Sequence, residues 1–380
     1  QVMHYQFTSW PDHSVPSNPS TLAVMLRDIR NNFSNETCVV HCSAGIGRTG
    51  TVLLTLLVLD QIDVTGQMHI PEVLHVLRSC RMNLVDNPDQ YRFVHELLLE
   101  MMYGRLTSAT GQEFLHTFAK TTASALRVQH DKLMNLPQGH TYELASFPSY
   151  SQFNRDQTIL PADGRMVFLN SIRGANGSQY INAVRVNGFM IKDALLAMEH
   201  PLPHTLSHAW HLVMEQDVAV WVLLHSFPIG SESYPQILTS NIPGVNLLTH
   251  VVSESIFFKE SQVTVETEGS HRPRTISVLE LHGWPSDALL PSSPAALLKA
   301  LVRVTQLTDN SRKVLYSCRD GVSGCGVATS LSLILERYQH LELIDVFKSV
   351  MSVKYDRAQF INDFEQYQFL YTAVKSHLTS

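Results

Sequence analysis

The sequence predicts an α+β fold. Strand-like runs are spread over residues 142–282, and the portion after them reads as mainly helical. A short β-branched run ending at Cys42 enters a glycine-punctuated loop and then an apolar helix. Three segments also recur in the same order, so the chain carries an internal repeat.

The elements follow in order. Trp10-Pro11-Asp12 and the stretch from Pro16 through Pro19 mark a turn-rich loop. Cys38-Val39-Val40-His41 reads as a buried strand. Gly45, Gly47 and Gly50 punctuate a tight loop, and Val52 to Asp60 continues as a buried helix, its apolar run too short to cross a membrane. Pro71 fits the first turn of the next helix, and Asp89 to Met101 forms another. From Tyr103 to Lys132 the chain is polar and helical, a linker plus the opening helices of a second domain. Met166-Val167-Phe168-Leu169, Tyr180-Ile181-Asn182-Ala183 and Val218 to Leu224 read as strands. The last is apolar throughout, as expected of a strand covered on both faces.

The repeat sets the domain organisation. Phe7-Thr8-Ser9-Trp10-Pro11-Asp12 recurs as Leu281-His282-Gly283-Trp284-Pro285-Ser286. Val40-His41-Cys42 recurs as Tyr316-Ser317-Cys318, and Asp89-Gln90-Tyr91-Arg92-Phe93 as Glu365-Gln366-Tyr367-Gln368-Phe369. Residues 1–105 therefore match only the last third of a second unit, residues 106–380.

Composition narrows the function. With 44% hydrophobic and 16% charged residues the chain can bury a sizeable core. A net charge of −6 argues against nucleic acid as a partner. The five cysteines form no CxxC pair and are odd in number, which suits free thiols in a reducing compartment. Nineteen histidines show no HxH or HExxH spacing, so neither a metal nor another cofactor is implied. The chain begins at Gln1 and shows no secretory signal; it is expected to be a piece of something longer, with any membrane anchor outside it.

The chemistry concentrates in His41-Cys42-Ser43-Ala44-Gly45-Ile46-Gly47-Arg48-Thr49-Gly50. A nucleophilic cysteine must be a thiolate. A cysteine at a strand end, before a loop entering a helix, meets backbone N–H groups and the positive end of the helix dipole. The same amides cradle phosphate, and Gly45 and Gly47 permit the backbone shapes such a nest needs. Arg48 can close the cradle with a planar fork that fits two phosphate oxygens.

This segment resembles the HCxxGxxR[ST]G signature of the classical protein-tyrosine phosphatases and matches every fixed position. The resemblance implies the classical tyrosine-phosphatase fold, α/β-like in character, with a twisted mixed central sheet flanked by helices and a cysteine-containing phosphate loop between strand and helix. It implies Cys42 as nucleophile, Arg48 as transition-state clamp, Asp12 as general acid and then base, and Thr49 and Gln90 as assistants. Ser43, Ala44, Gly45, Ile46, Gly47 and Arg48 would surround the phosphate. His41 fits either a loop-orienting hydrogen bond or a satisfied core histidine. Asp86 stands where the family has a second glutamine; it either repels phosphate or turns into solvent.

The second unit is similar to a receptor-type phosphatase's membrane-distal domain, with Ser171-Ile172-Arg173-Gly174, His200-Pro201-Leu202-Pro203 and Trp210 matching family segments. Its catalytic positions are eroded. Cys318 is kept, but Gly324 replaces the arginine, Ser286 the acid-loop aspartate and Asp156 the substrate-stacking aromatic, and Asn362 stands for a water-positioning glutamine. This domain is expected to be catalytically dead, with Cys318 either an inert buried thiol or a redox-sensitive one. The resemblance implies hydrolysis of phosphotyrosine in proteins, with a non-catalytic interaction module as the alternative. It also implies intramolecular or dimeric contacts through the second domain, and a place on the cytoplasmic side of the plasma membrane through a segment absent from this chain.

Overall fold

The computed structural model describes residues 2–11, 14–16, 18–33, 36–103, 107–136, 139–170, 179–239, 242–267, 272–308 and 312–380. Asp12 and Ser171-Ile172-Arg173-Gly174 lie outside the described residues. The chain divides into two units, Gln1–Ser108 and Ala109–Ser380.

The first unit is built on four helices. α1 (Pro19–Asn32) starts where the Asn18 side chain accepts the Ser20 N–H at 2.8 Å, with Pro19 pre-set for the first turn. α2 (Gly47–Thr65) ends at Gly66, whose φ of 69° is a left-handed stop. α3 (Ile70–Cys80) carries Pro71 in its first turn, and α4 (Pro88–Tyr103) closes the unit. Leu54 and Val58 of α2 bury against Leu77, Leu84, Val94 and Leu98. Trp10, Leu22, Leu26, Phe93 and Leu97 form a second cluster.

One expectation fails here. Cys38-Val39-Val40-His41 is not a buried strand: it pairs with no strand among the described residues, with Cys38 exposed and Val39 82% exposed. β-branched residues favour a strand only when a neighbour supplies hydrogen bonds and a packing face. Among the described residues of this unit there is no strand to do so.

The second unit opens with β1 (Ala109–Thr110), α5 (Gly111–Phe118) and α6 (Ala123–Met134). There follow β2 (Met166–Phe168), β3 (Tyr180–Val186), β4 (Leu195–Glu199), α7 (Leu206–Glu215) and β5 (Val218–Leu223). Next come β6 (Val245–Glu254), β7 (Phe258–Thr267), β8 (Arg274–Leu281), α8 (Ala295–Leu307) and β9 (Lys313–Cys318). The unit ends with α9 (Ser323–Leu341), β10 (Leu343–Ile344), α10 (Val346–Asp356) and α11 (Phe364–Thr379).

Eight strands form one mixed sheet in the order β2-β3-β4-β9-β5-β8-β7-β6. The central β4, β9, β5 and β8 are parallel, and the margins are antiparallel. β9 therefore sits in the middle of the sheet although it lies far along the chain, between α8 and α9. Its register places Cys318 opposite Glu199 and Ser317 opposite Leu223. On one face Val222 and Tyr316 pack with Leu331 of α9 and Leu370 of α11. On the other, Trp210 of α7 meets Trp221 of β5 edge to face, with ring centroids 5.1 Å apart. Helices thus flank both faces of the sheet. Tyr367, Phe369 and Leu370 are buried in the core, as their helical spacing predicts.

Candidate active site

In the first unit the chain bends through Ser43–Ile46 and enters α2 at Gly47. Gly45 takes a φ of +65°, the left-handed turn that lets successive amides point inward. Among the described residues no side chain caps α2, so no capping group competes for its first N–H groups. Their effect on Cys42 is already visible. Partial burial opposes ionisation, but the Thr49 hydroxyl and the backbone N–H groups of Thr49, Ile46 and Gly45 bring the thiol down from 9.0 to about 7. The Thr49 hydroxyl is buried without a complete hydrogen bond, so the backbone amides are the firmer part of that stabilisation.

The surroundings brace this loop. Arg48 is half-buried and donates to the Pro11 carbonyl at 3.3 Å, which ties it to the turn beside Asp12. Gln90 is buried against the start of α2, so close that a Cβ on Gly47 would lie 2.7 Å from its amide nitrogen. Arg81 donates to the Ala44 carbonyl at 3.0 Å. Arg78 holds the Leu84 and Val85 carbonyls at 2.9 and 2.7 Å, and Val85 has a φ of +62°, strained for a β-branched residue. Cys42, Arg48, Thr49, Gln90 and the loop from Ser43 to Gly47 are thus brought together. His41 fits neither earlier reading, because it is exposed and has no hydrogen-bond partner among the described residues. With no strand pairing beside it, nothing buries it. Asp86 is exposed, its backbone N–H held by Gln90 at 2.9 Å.

The second unit repeats this geometry 276 residues on. Gly321 has a φ of +72°, matching Gly45, and Ile361 has a φ of +50°, matching Val85. Gln366 donates to the Ser323 carbonyl at 3.0 Å, at the place where Gln90 meets Gly47. Trp10 donates to Ser14, and Trp284 to Ala288, each four residues on.

The chemistry of the second loop differs. Cys318 is fully buried, and its thiol donates to the Asp320 carboxylate at 3.3 Å. Gly324 leaves no side chain over the loop, and a Cβ there would lie 2.9 Å from the Cys318 Cβ and 3.1 Å from His225 Nε2. Arg319 instead donates to the Ser286 carbonyl at 2.8 Å. Asp156 does not stack on anything; its carboxylate caps Thr158. Sequence reasoning gave no role to Arg78, Arg81, His225, Asp320 or the buried Arg357. The signal for some of them was in the repeat: Arg78 recurs as Lys354 and Arg81 as Arg357.

The fold and site define an α+β protein with a cysteine at the base of an oxyanion-shaped loop that opens a helix, present here in two copies. The protein-tyrosine phosphatase pattern matches residues 1–100 and 150–376, and the chain belongs to that family. It is 28% identical over its whole length to receptor-type tyrosine-protein phosphatase S of Gallus gallus, covering 26% of that protein. It is 27% identical to tyrosine-protein phosphatase Lar of Drosophila melanogaster, covering 20% of it. To human receptor-type tyrosine-protein phosphatase alpha it is 27% identical, covering 49%. The chain thus spans between a fifth and a half of the length of these relatives. Among the described residues no helix is long and apolar enough to cross a membrane.

Proposed function

We propose that the first unit hydrolyses phosphotyrosine in proteins through a cysteinyl-phosphate intermediate. The observation that carries this reading is the placement of Cys42 in a loop that enters α2 at Gly47 beside a half-buried Arg48, with its thiol drawn down to about 7 by the Thr49 hydroxyl and the Thr49, Ile46 and Gly45 amides. The Cys42 thiolate attacks phosphorus, the bond from phosphorus to the tyrosyl oxygen breaks, and Asp12 protonates the departing oxygen. Arg48 and the loop amides hold the equatorial oxygens. Water then attacks the cysteinyl phosphate and gives its proton to Asp12, releasing inorganic phosphate and the thiolate, which Thr49 steadies and for which Gln90 positions the water. In this reading the chain works on the cytoplasmic side of the plasma membrane as part of a receptor-type protein.

A second reading concerns residues 106–380, as a non-catalytic unit that serves contacts within the chain or between copies. It is favoured by the buried Cys318, whose thiol is spent on Asp320. Both readings are tested by acid quenching during turnover of a phosphotyrosyl peptide with a Gln90→Ala variant, which impairs the water step and leaves formation of the cysteinyl phosphate intact. Phosphate recovered on the Cys42 peptide and absent from the Cys318 peptide is the expected result. Phosphate on Cys318, or on neither cysteine while turnover continues, would overturn the assignment.

A further inference from the structure

The second loop is already filled. One carboxylate oxygen of Asp320 accepts the Val322 N–H at 2.8 Å, the Ser323 N–H at 2.8 Å and the Ser323 hydroxyl at 2.9 Å. The Cys318 thiol donates to the same oxygen at 3.3 Å. Those amides open α9 and lie where a bound oxyanion would be held. At the matching position the first unit has Ala44, which has no carboxylate to place over its loop. Burial pushes the Asp320 carboxyl up, but the Ser323 and Val322 N–H groups outweigh it, so it stays ionised.

A separate feature shows that the site keeps the electrostatics of an anion pocket. Arg357 is 1% exposed, and its Nε and Nη1 have no hydrogen-bond partner among the described residues, while Nη2 donates to Asn182 at 2.9 Å. Burial pushes its guanidinium down from the ordinary arginine value, opposed by Cys325, Glu199, Cys318 and Asp320. A buried guanidinium with two unpaired nitrogens is costly unless negative charge lies close. Asp320, within the loop, is one of the groups that contribute that charge.

We propose that Asp320 is an internal substitute for the phosphate group, closing the second loop to oxyanions and holding it in its ligand-bound shape without a ligand. This rests on the reading of the second unit as non-catalytic, and it goes further. The loop is not merely short of an arginine: its anion site is latent, and one side chain occupies it. A phosphate dianion entering the wild-type loop would meet the Asp320 carboxylate at contact distance, like charge against like.

The test counts tungstate, an inorganic phosphate mimic, bound per 380-residue chain by titration calorimetry. Asp320→Ala is expected to bind one more tungstate per chain than wild type. If the first unit proves not to bind anions, both counts fall by one and the difference persists, so the two ideas fail separately. An unchanged count from folded Asp320→Ala protein would overturn the proposal. Should that variant not fold, hydrogen exchange on wild type decides. Saturating tungstate is expected to leave the Arg319–Cys325 amides unprotected beyond their resting level, and added protection there would contradict an occupied loop.

Discussion

Arg81 donates to the Ala44 carbonyl at 3.0 Å, so the end of α3 is tied to the crown of the Cys42 loop. Arg81→Ala is expected to lower kcat/KM for a phosphotyrosyl peptide about tenfold, the scale of roughly one lost charge-assisted hydrogen bond. Arg81→Lys should recover part of it. Steady-state kinetics check this, and equal losses for both variants would speak against a positioning role.

The Cys42 thiol is drawn down to about 7 by the Thr49 hydroxyl and local amides. A lowered thiol leaves more thiolate below neutral pH, so alkylation of the Cys42 peptide by iodoacetamide should rise through a midpoint of about 7. In Thr49→Ala the midpoint should move up, because one stabilising hydroxyl and no amide is lost. Peptide-resolved mass spectrometry across pH 5–10 reads both.

Gly50 and Gly326 occupy the same repeat position under unequal constraint. A Cβ at Gly50 would lie 2.3 Å from the Val85 backbone nitrogen, whereas at Gly326 the nearest atom, Ile361 N, is 3.2 Å away. Gly50→Ala should therefore destabilise the first unit by about 3 kcal/mol or more, and Gly326→Ala the second by about 1 kcal/mol. Urea unfolding followed separately for each unit measures the contrast; similar costs would refute it.

These contrasts show where sequence was enough. Cys42 through Gly50 is legible because loop, helix start and arginine lie within one short stretch and need no distant partner. The aligned Trp10 and Trp284 were legible for the same reason, since each closes its own four-residue turn. Cys38–His41 was misread because strand formation depends on neighbours, and only the matching β9 has them, in β4 and β5. β4 itself (Leu-Leu-Ala-Met-Glu) is rich in helix formers and gave no strand signal; burial on both faces overrides that preference. Asp320 was visible as a residue, but the direction of its carboxylate, into the loop rather than into water, is a tertiary fact.

Glu199 lies beneath the second loop, and burial pushes its carboxyl up to about 8 despite the Arg155 N–H. A carboxyl whose folded value is raised binds more protons folded than unfolded, so stability falls as pH rises towards 8. His200 and His225, held neutral by burial at about 4, act in the opposite direction only below pH 6.5. Between pH 6.5 and 8 the second unit should therefore lose up to about 1.4 kcal/mol per pH unit. Glu199→Gln should flatten that slope, as chemical denaturation at stepped pH would reveal.

The central claim is that the first unit performs the chemistry and the second does not. The most direct measurement is phosphotyrosyl-peptide hydrolysis by the 380-residue chain beside its Cys42→Ser and Cys318→Ser variants. The account predicts release of inorganic phosphate by wild type and Cys318→Ser at comparable rates, and none by Cys42→Ser. Activity that survives Cys42→Ser, or is lost with Cys318→Ser in folded protein, would contradict it.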